Sequence, residues 1–204
     1  ASVTAVPPPE RSVVDRLRTL VLTSRADMQC RYYSETYQAS LRSLLARQRF
    51  DLFQIESLEM AIYLPVLQEA QPATPVIYDA FNAEYELQQS IYETEKDSVR
   101  RLPGRIYSHV QWRRLVRFER DVCRAVSHVI AVSRPDADAF NRLHPTCSVS
   151  IIPNGIDVEA FSSADSVLDL GQHALLFTGS MGYRPNVDAM LWFGQEVLPR
   201  LLAQ

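Results

Sequence analysis

Two successive strand-to-loop transitions near the C-terminus constrain this chain more than any other feature. The first is Ser148 to Asp157, S-V-S-I-I-P-N-G-I-D, where a β-branched run ends in Pro-Asn-Gly. The second is Ala174 to Asn186, A-L-L-F-T-G-S-M-G-Y-R-P-N, where an apolar run breaks into a Gly-Ser-x-Gly loop before a helical segment. This order is typical of consecutive α/β units whose strand ends face one cleft, and such clefts bind ligands.

Strand and helix signals alternate through the rest of the chain. Apolar residues at helical spacing predict helices near residues 13–21, 37–45, 84–97 and 107–125, with Leu102-Pro103-Gly104 as a break between the last two. Strands are predicted at 50–55, 75–79 and 128–132, and Ser57 is expected to cap the helix after the first of them. This alternation predicts a mostly parallel, doubly wound α/β sheet.

Composition excludes several classes of protein. A chain that is 47% hydrophobic and 22% charged, with a net charge of −3, predicts a globular fold and disfavours nucleic-acid binding. Three cysteines without C-x-x-C spacing indicate reduced thiols, and the four histidines lack the spacing of metal ligands. No apolar run approaches the roughly 20 residues of a membrane span.

The wider pattern resembles a known family. Pro75 to Glu84, P-V-I-Y-D-A-F-N-A-E, and Arg117 to Ser133, R-F-E-R-D-V-C-R-A-V-S-H-V-I-A-V-S, together with the two C-terminal motifs, are similar to GT-B-fold glycosyltransferases of the group 1, family 4 type. The F-T-G-S-M-x-x-x-P-N-V-D-A form resembles the branch associated with exopolysaccharide synthesis. The resemblance implies a Rossmann-like, partial GT-B fold. It also implies transfer of a sugar from a nucleotide-sugar donor to a glycan or lipid-linked acceptor in bacterial polysaccharide or glycoconjugate synthesis. The expected enzyme is retaining, with no metal and no other cofactor in the chemistry.

The resemblance also predicts how the chain is divided. Residues 1–157 are expected to be a partial N-terminal, acceptor-side domain, 158–171 an interdomain linker, and 172–204 the first strand and helix of a donor-side domain. The family's opening strand and its E-x(7)-E motif are expected outside this chain, which by itself should be inactive. Apolar side chains of 174–204 should then dock within the chain or against a second copy, giving a homodimer.

Acceptor-side chemistry is expected at the end of the second predicted strand. Phe81 stands where relatives commonly have His, which leaves Asp79 as the candidate catalytic group, with Asn82 and Glu84 orienting it. Phe81 itself is expected to pack. The alternative is that Asp79 and Asn82 only cap the next helix.

Donor binding is expected at the second glycine-containing loop. Gly179, Ser180, Met181 and Gly182 would let backbone N–H groups approach a diphosphate, with Arg184 nearby. The alternative is that the glycines only form turns. The remaining cleft candidates are Ser133, Asn154, Gly155 and Asp157. We expect Asp79, Ser133, Asn154 and Gly179 at one edge of the sheet.

The helix around residues 107–125 has two unusual features. Glu119 falls on its apolar stripe, so we expect backbone N–H groups to bind this carboxylate in a structural role. Between Val99 and Arg124 there are eight Arg and only two acids. Such a face is either simply solvated, the more common case, or contacts anionic lipid or a lipid-linked diphosphate. The reduced cysteines and the absence of an apolar run long enough for a membrane span predict a cytoplasmic protein. If the arginine-rich face binds lipid, this protein would also contact the inner membrane peripherally.

Other functions remain open at this point. A nucleotide-sugar epimerase shares the GT-B fold, and a non-catalytic Rossmann-like binding or assembly module shares the sheet. A dinucleotide oxidoreductase is disfavoured because no G-x-G-x-x-G follows a predicted strand.

Overall fold

The computed structural model describes residues 3–95, 102–162 and 174–203. Within them one parallel sheet has the order β1-β2-β3-β4. Its strands are β1 (Phe53–Glu56), β2 (Val76–Ala80), β3 (His128–Ala131) and β4 (Val149–Ile151). The predicted α/β class is confirmed, and the parallel sheet is consistent with a Rossmann-like, partial GT-B fold.

Three helices precede the sheet, and the first and third begin at side-chain caps. They are α1 (Val13–Leu22), α2 (Asp27–Cys30) and α3 (Glu35–Arg47). Ser12 Oγ accepts the Asp15 N–H at 3.2 Å, and Asp15 Oδ2 accepts the Ser12 N–H at 2.9 Å, which is a capping box. Ser34 Oγ accepts the Tyr37 N–H at the start of α3.

The connections between strands are helical. A 3₁₀ segment (Leu58–Tyr63) and α4 (Leu64–Ala70) link β1 to β2, α5 (Glu84–Glu95) and α6 (Leu102–Ala125) link β2 to β3, and α7 (Arg134–Leu143) links β3 to β4. Because such crossovers are right-handed and each strand pairs with the next, these helices belong on one face of the sheet. The strand side chains buried on that face are Phe53, Ile55, Val76, Tyr78, Ala80, Val129 and Ala131.

The opposite face of the sheet is more exposed and partly polar. Its half-buried or exposed side chains are Gln54, Glu56, Ile77, Asp79, His128, Ile130 and Ser150. The strand register places Glu56 beside Asp79 and Asp79 beside Ile130. Asp79 therefore lies on the less covered face, near the carboxyl ends of the strands.

Two local predictions were wrong. Leu102-Pro103-Gly104 does not break a helix, because α6 begins at Leu102, and proline is tolerated in the first turn where its missing N–H has no partner. Ser57 precedes the 3₁₀ segment without making a side-chain cap bond. Its backbone has φ 68° and ψ 153°, which directs the chain away from cap geometry.

The chain divides into two compact units, Ala1–Gly155 and Ile156–Gln204. The second contains α8 (Val158–Ser162), α9 (Arg184–Trp192), a π-helical turn (Phe193–Val197) and α10 (Leu198–Leu202). The predicted strand at Ala174 to Phe177 is wrong, since residues 174–178 form no strand. A strand needs a hydrogen-bonded neighbour, and the four strands of the described sheet pair only with one another. The predicted linker at 158–171 lies largely outside the described residues.

Candidate functional site

The carboxyl ends of the strands bring several predicted residues to one edge of the sheet. Asp79 is the fourth residue of β2, Ser133 follows the end of β3 by two residues, and Asn154 follows the end of β4 by three. Parallel pairing places these ends together. Gly179 belongs to the second unit and follows no strand, so the expectation that it ends a parallel strand was wrong.

Asp79 is held by a neighbour on the same face of the sheet. Its Oδ2 accepts a hydrogen bond from Gln54 Nε2 at 2.8 Å. The Asp79 carbonyl accepts the Ser57 N–H at 3.0 Å, which ties the ends of β1 and β2 together. Asp79 is half-buried, so its carboxylate is oriented and still reachable from solvent.

The turn from β2 into α5 is fixed by carboxylates other than Asp79. Glu119 Oε1 accepts the Glu84 N–H at 3.1 Å, and Glu119 Oε2 accepts the Tyr85 N–H at 2.8 Å. Asp136 Oδ1 accepts the Ala83 N–H at 3.0 Å. These bonds satisfy N–H groups at the helix start, where no intrahelical acceptor exists. The Asp79 side chain thus bonds to Gln54 of β1, whereas Glu119 and Asp136 bond to the start of α5.

Glu119 is fully buried, and the expectation that backbone N–H groups bind it is confirmed. Burial raises the pKa of Glu119 to about 8, opposed by the bonds from the Tyr85 and Glu84 N–H groups. The Tyr78 hydroxyl donates to Glu119 Oε1 at 3.4 Å. Burial is the main cause that raises the pKa of Tyr78 well above its usual value, and the adjacent Glu119 raises it further.

Glu84 is the second carboxyl group at this turn. Burial raises its pKa, while the Asn82 amide, whose Nδ2 lies 3.5 Å from Glu84 Oε1, lowers it. Glu59 and Arg31, which form an ion pair at 3.2 Å, act on the pKa of Glu84 in opposite directions. The predicted pair Asn82 and Glu84 is therefore brought together in the structure.

Ser133 begins α7. Its Oγ accepts the Asp136 N–H at 3.3 Å and donates to Asp136 Oδ2. Because the other oxygen of Asp136 binds the Ala83 N–H, Ser133 helps to anchor the β2–α5 turn from the end of β3.

Phe81, expected to pack, is instead 55% exposed beside this turn. An exposed aromatic ring at a polar edge is available to a ligand.

Sequence reasoning missed Gln54 and Asp136 as residues of this site. Two-residue periodicity would have placed Gln54 on the same face as Asp79, given the register of β1 and β2. Asp136 could have been found from its position three residues after the cap Ser133. No signal in the sequence indicates that Ser57 adopts a positive φ, which non-glycine residues rarely do.

The predicted donor loop is built around a close approach at Gly179. A Cβ at Gly179 would lie 2.8 Å from Asn186 Nδ2 and 2.9 Å from the Phe177 ring, so these two side chains would have to shift to admit it. Asn186 Nδ2 also donates to the Ser180 carbonyl at 3.0 Å, and Ser180 Oγ accepts the Gly182 N–H at 3.3 Å. At Gly182 a Cβ would make only ordinary contact. The loop then enters α9, with Ser180 and Met181 exposed.

The residues after β4 are exposed. Asn154 and Gly155 end the first unit, and a Cβ at Gly155 would meet nothing. Asp157 Oδ1 accepts the Ala160 N–H at 3.1 Å, which caps α8.

Part of the arginine-rich face of α6 is used inside the fold. Arg114 donates to the carbonyls of Thr19 and Leu20 at the end of α1, at 3.3 and 2.8 Å. Arg120 Nε donates to the Leu143 carbonyl at the end of α7. These cations complement helix C-termini. Among the described residues, no helix is long and apolar enough to span a membrane.

A parallel α/β sheet with polar side chains at its carboxyl edge is typical of α/β domains that bind ligands at that edge. The family model Glycosyltransferase Family 4 matches residues 3–160, which is more than half of the chain. The chain therefore belongs to the family 4 glycosyltransferases, a family that acts on a donor and an acceptor. No curated protein and no solved structure matched the chain. In the described part, no group of three or more His, Cys, Asp or Glu side chains is placed to hold a metal ion.

Proposed function

We propose that the chain carries the acceptor side of a glycosyltransferase. This enzyme moves a sugar from a nucleotide-sugar donor to a glycan or lipid-linked acceptor in bacterial polysaccharide or glycoconjugate synthesis. The family match over residues 3–160 is the observation that carries the proposal. The exopolysaccharide branch, a retaining course and chemistry without a metal ion are the finer parts of the proposal. The branch rests on the resemblance of the F-T-G-S-M motif, and the retaining, metal-independent course rests on the family resemblance alone.

Asp79 is the proposed catalytic carboxylate for the acceptor hydroxyl. Glycosyl transfer removes a proton from that hydroxyl as the new bond forms, and a positioned carboxylate can accept it or orient the hydroxyl. Support comes from the half-buried position of Asp79 and from the 2.8 Å bond that orients it. The capping alternative loses its main support, because Glu119 and Asp136 bind the N–H groups of the following turn.

Asn82 and Glu84 are proposed to contact or orient the acceptor beside Asp79. A carboxyl group whose pKa is raised by burial can exchange a proton nearer to neutral pH, which is common at functional sites. Ser133 serves this site indirectly, since it orients Asp136.

The donor diphosphate is proposed to bind at residues 179–182 and Arg184. Negative charge develops on the leaving diphosphate, so N–H donors at a helix start and a cation would stabilise it. Gly179 lets the Asn186 and Phe177 side chains lie close to the backbone of this loop, and exposed Ser180 and Met181 leave room for a ligand. Asn154, Gly155 and Asp157 are proposed as further residues that contact the substrates.

A transfer assay on the full-length protein containing this chain tests the proposal. UDP- and GDP-linked hexoses would be supplied with membrane extract as the source of acceptor. We expect radiolabel from one donor to appear in a glycan or lipid product, and NMR of the product to show the donor's anomeric configuration. Interconversion of free nucleotide-sugars without acceptor would instead support an epimerase and contradict the proposal.

Two further proposals concern partners. The exposed arginines of α6 would attract anionic lipid headgroups, and sedimentation with phosphatidylglycerol vesicles but not with phosphatidylcholine vesicles would support this.

Exposed apolar side chains of the second unit, including Leu175, Leu176 and Trp192, would associate with a second copy.

A further inference from the structure

Two of the three cysteine thiols meet at the end of α6. Cys123 lies in the last turn of this helix, and Cys147 lies two residues before β4. The Cys147 thiol donates to the Cys123 carbonyl, with the sulfur 3.8 Å from the oxygen. Neither thiol is in a disulfide.

The two sulfurs differ in access and acidity. Cys123 is 3% exposed, whereas Cys147 is half-buried. The Cys123 thiol lowers the pKa of Cys147, whereas the Cys147 thiol and burial raise the pKa of Cys123. The thiolate is the reactive form of cysteine, so Cys147 is the sulfur that meets an oxidant first. Cys123, which is more buried, would be the resolving thiol.

We propose that Cys147 and Cys123 form a hydroperoxide-sensitive site that closes into a reversible disulfide. The Cys147 thiolate attacks one peroxide oxygen, the O–O bond breaks, and sulfenic acid and hydroxide form. Cys123 then attacks the Cys147 sulfur, the S–S bond forms, the S–O bond breaks, and the hydroxyl leaves with the thiol proton as water. Two thiols are oxidised and one hydroperoxide is reduced. A dithiol reductant reverses the reaction by thiol–disulfide exchange.

The third cysteine provides an internal control. Cys30 ends α2, far in sequence from the pair. It is half-buried, and burial raises its pKa. Cys30 should therefore remain reduced while the pair reacts.

The disulfide would covalently link the last turn of α6 to the segment that precedes β4. Glu119, which holds the start of α5, lies one helical turn before Cys123 on α6. Oxidation should stabilise this unit by closing the loop from 123 to 147, with a rise in Tm of about 5 °C. None of this depends on the proposed glycosyl transfer.

Peptide mass spectrometry on the wild-type chain tests the site. The protein is treated with hydrogen peroxide, denatured, and alkylated with iodoacetamide before digestion. We expect a crosslinked peptide containing Cys123 and Cys147, an alkylated Cys30, and loss of the crosslink after dithiothreitol. Oxidation of Cys30 before the pair, a Cys147 disulfide between two chains, or oxidised Cys147 beside alkylated Cys123 would overturn the proposal.

Three serine variants assign the order of events. Cys147→Ser should leave Cys123 reduced, and Cys123→Ser should leave Cys147 as a sulfenic acid that dimedone traps. Cys30→Ser should form the crosslink at the wild-type rate. A crosslink or a dimedone adduct at Cys123 in the Cys147→Ser chain would contradict the assigned roles.

Discussion

At the scale of single residues, buried Glu119 controls the geometry of the site more than any exposed side chain does. Its oxygens bind the N–H groups of Glu84 and Tyr85, so the carboxyl groups near Asp79 depend on a residue 35 positions later than Glu84. Its position on an apolar stripe made its burial predictable from sequence. The identity of the N–H groups was not predictable, because it depends on how α6 packs against α5.

Removing the Glu119 carboxyl group should destabilise the chain. Glu119→Ala leaves buried N–H groups without an acceptor and should cost about 3 kcal/mol or more in the free energy of unfolding. Glu119→Gln keeps one carbonyl oxygen and should cost clearly less. Urea unfolding followed by circular dichroism measures both. Equal costs for the two variants would show that the hydrogen bonds contribute little.

Glu119 should also make stability depend on pH. Its pKa is about 8 in the folded chain against an ordinary value of 4.5. The unfolded chain therefore loses this proton at lower pH than the folded chain does. The stability that protonated Glu119 gives the folded chain is fully present below pH 4.5. It falls as the pH rises and is lost above about pH 8. Glu119→Gln should flatten this slope in urea midpoints measured from pH 5 to 8, and an unchanged slope would assign it to other groups.

At the scale of elements, helix ends explain much of the charge on α6. Arg114 donates to carbonyls at the end of α1, and Arg120 donates to the end of α7. The sequence showed an arginine-rich face but not these contacts, because each acceptor is a backbone group distant in sequence.

Strand positions were predicted to within a few residues, since buried β-branched runs reveal them. The strand expected at 174–177 failed because strand formation depends on a partner, which composition does not show.

Arg114 can be tested against a neighbour on the same helix. Arg114→Ala removes donors to the last turn of α1 and should lower the free energy of unfolding by about 1–2 kcal/mol. Arg117→Ala, at an exposed position of α6, is the matched control and should change it by less than about 0.5 kcal/mol. Hydrogen exchange should show α1 opening more readily in the first variant only. Equal exchange in both variants would mean that Arg114 does not hold α1.

At the scale of the whole molecule, the two units differ in how well they bury apolar side chains. The first has a continuous core that includes Tyr78, Phe140 and Val129. In the second, no described residue is buried, and Leu176 is 79% exposed. The family resemblance predicted a donor-side part that needs more chain to complete its core, and this remains a prediction.

Association should therefore depend on the second unit. Light scattering should show a dimer or larger species for the chain. The double variant Leu175→Ser, Leu176→Ser should shift it towards monomer, because it removes exposed apolar surface without touching the first core. Leu52→Ser, at an exposed apolar position of the first unit, is the control and should leave the mass unchanged. A monodisperse wild-type monomer would contradict the proposed self-association.

The central claim is that Asp79 acts on the acceptor in glycosyl transfer. The direct measurement is turnover of the full-length enzyme with Asp79→Asn, beside the Ser150→Ala control on the same face of the sheet. We predict that Asp79→Asn lowers kcat by roughly 10²-fold or more with donor affinity nearly unchanged, whereas the control keeps wild-type turnover. Wild-type turnover in Asp79→Asn, with folding intact, would contradict the account and leave Asp79 a structural partner of Gln54.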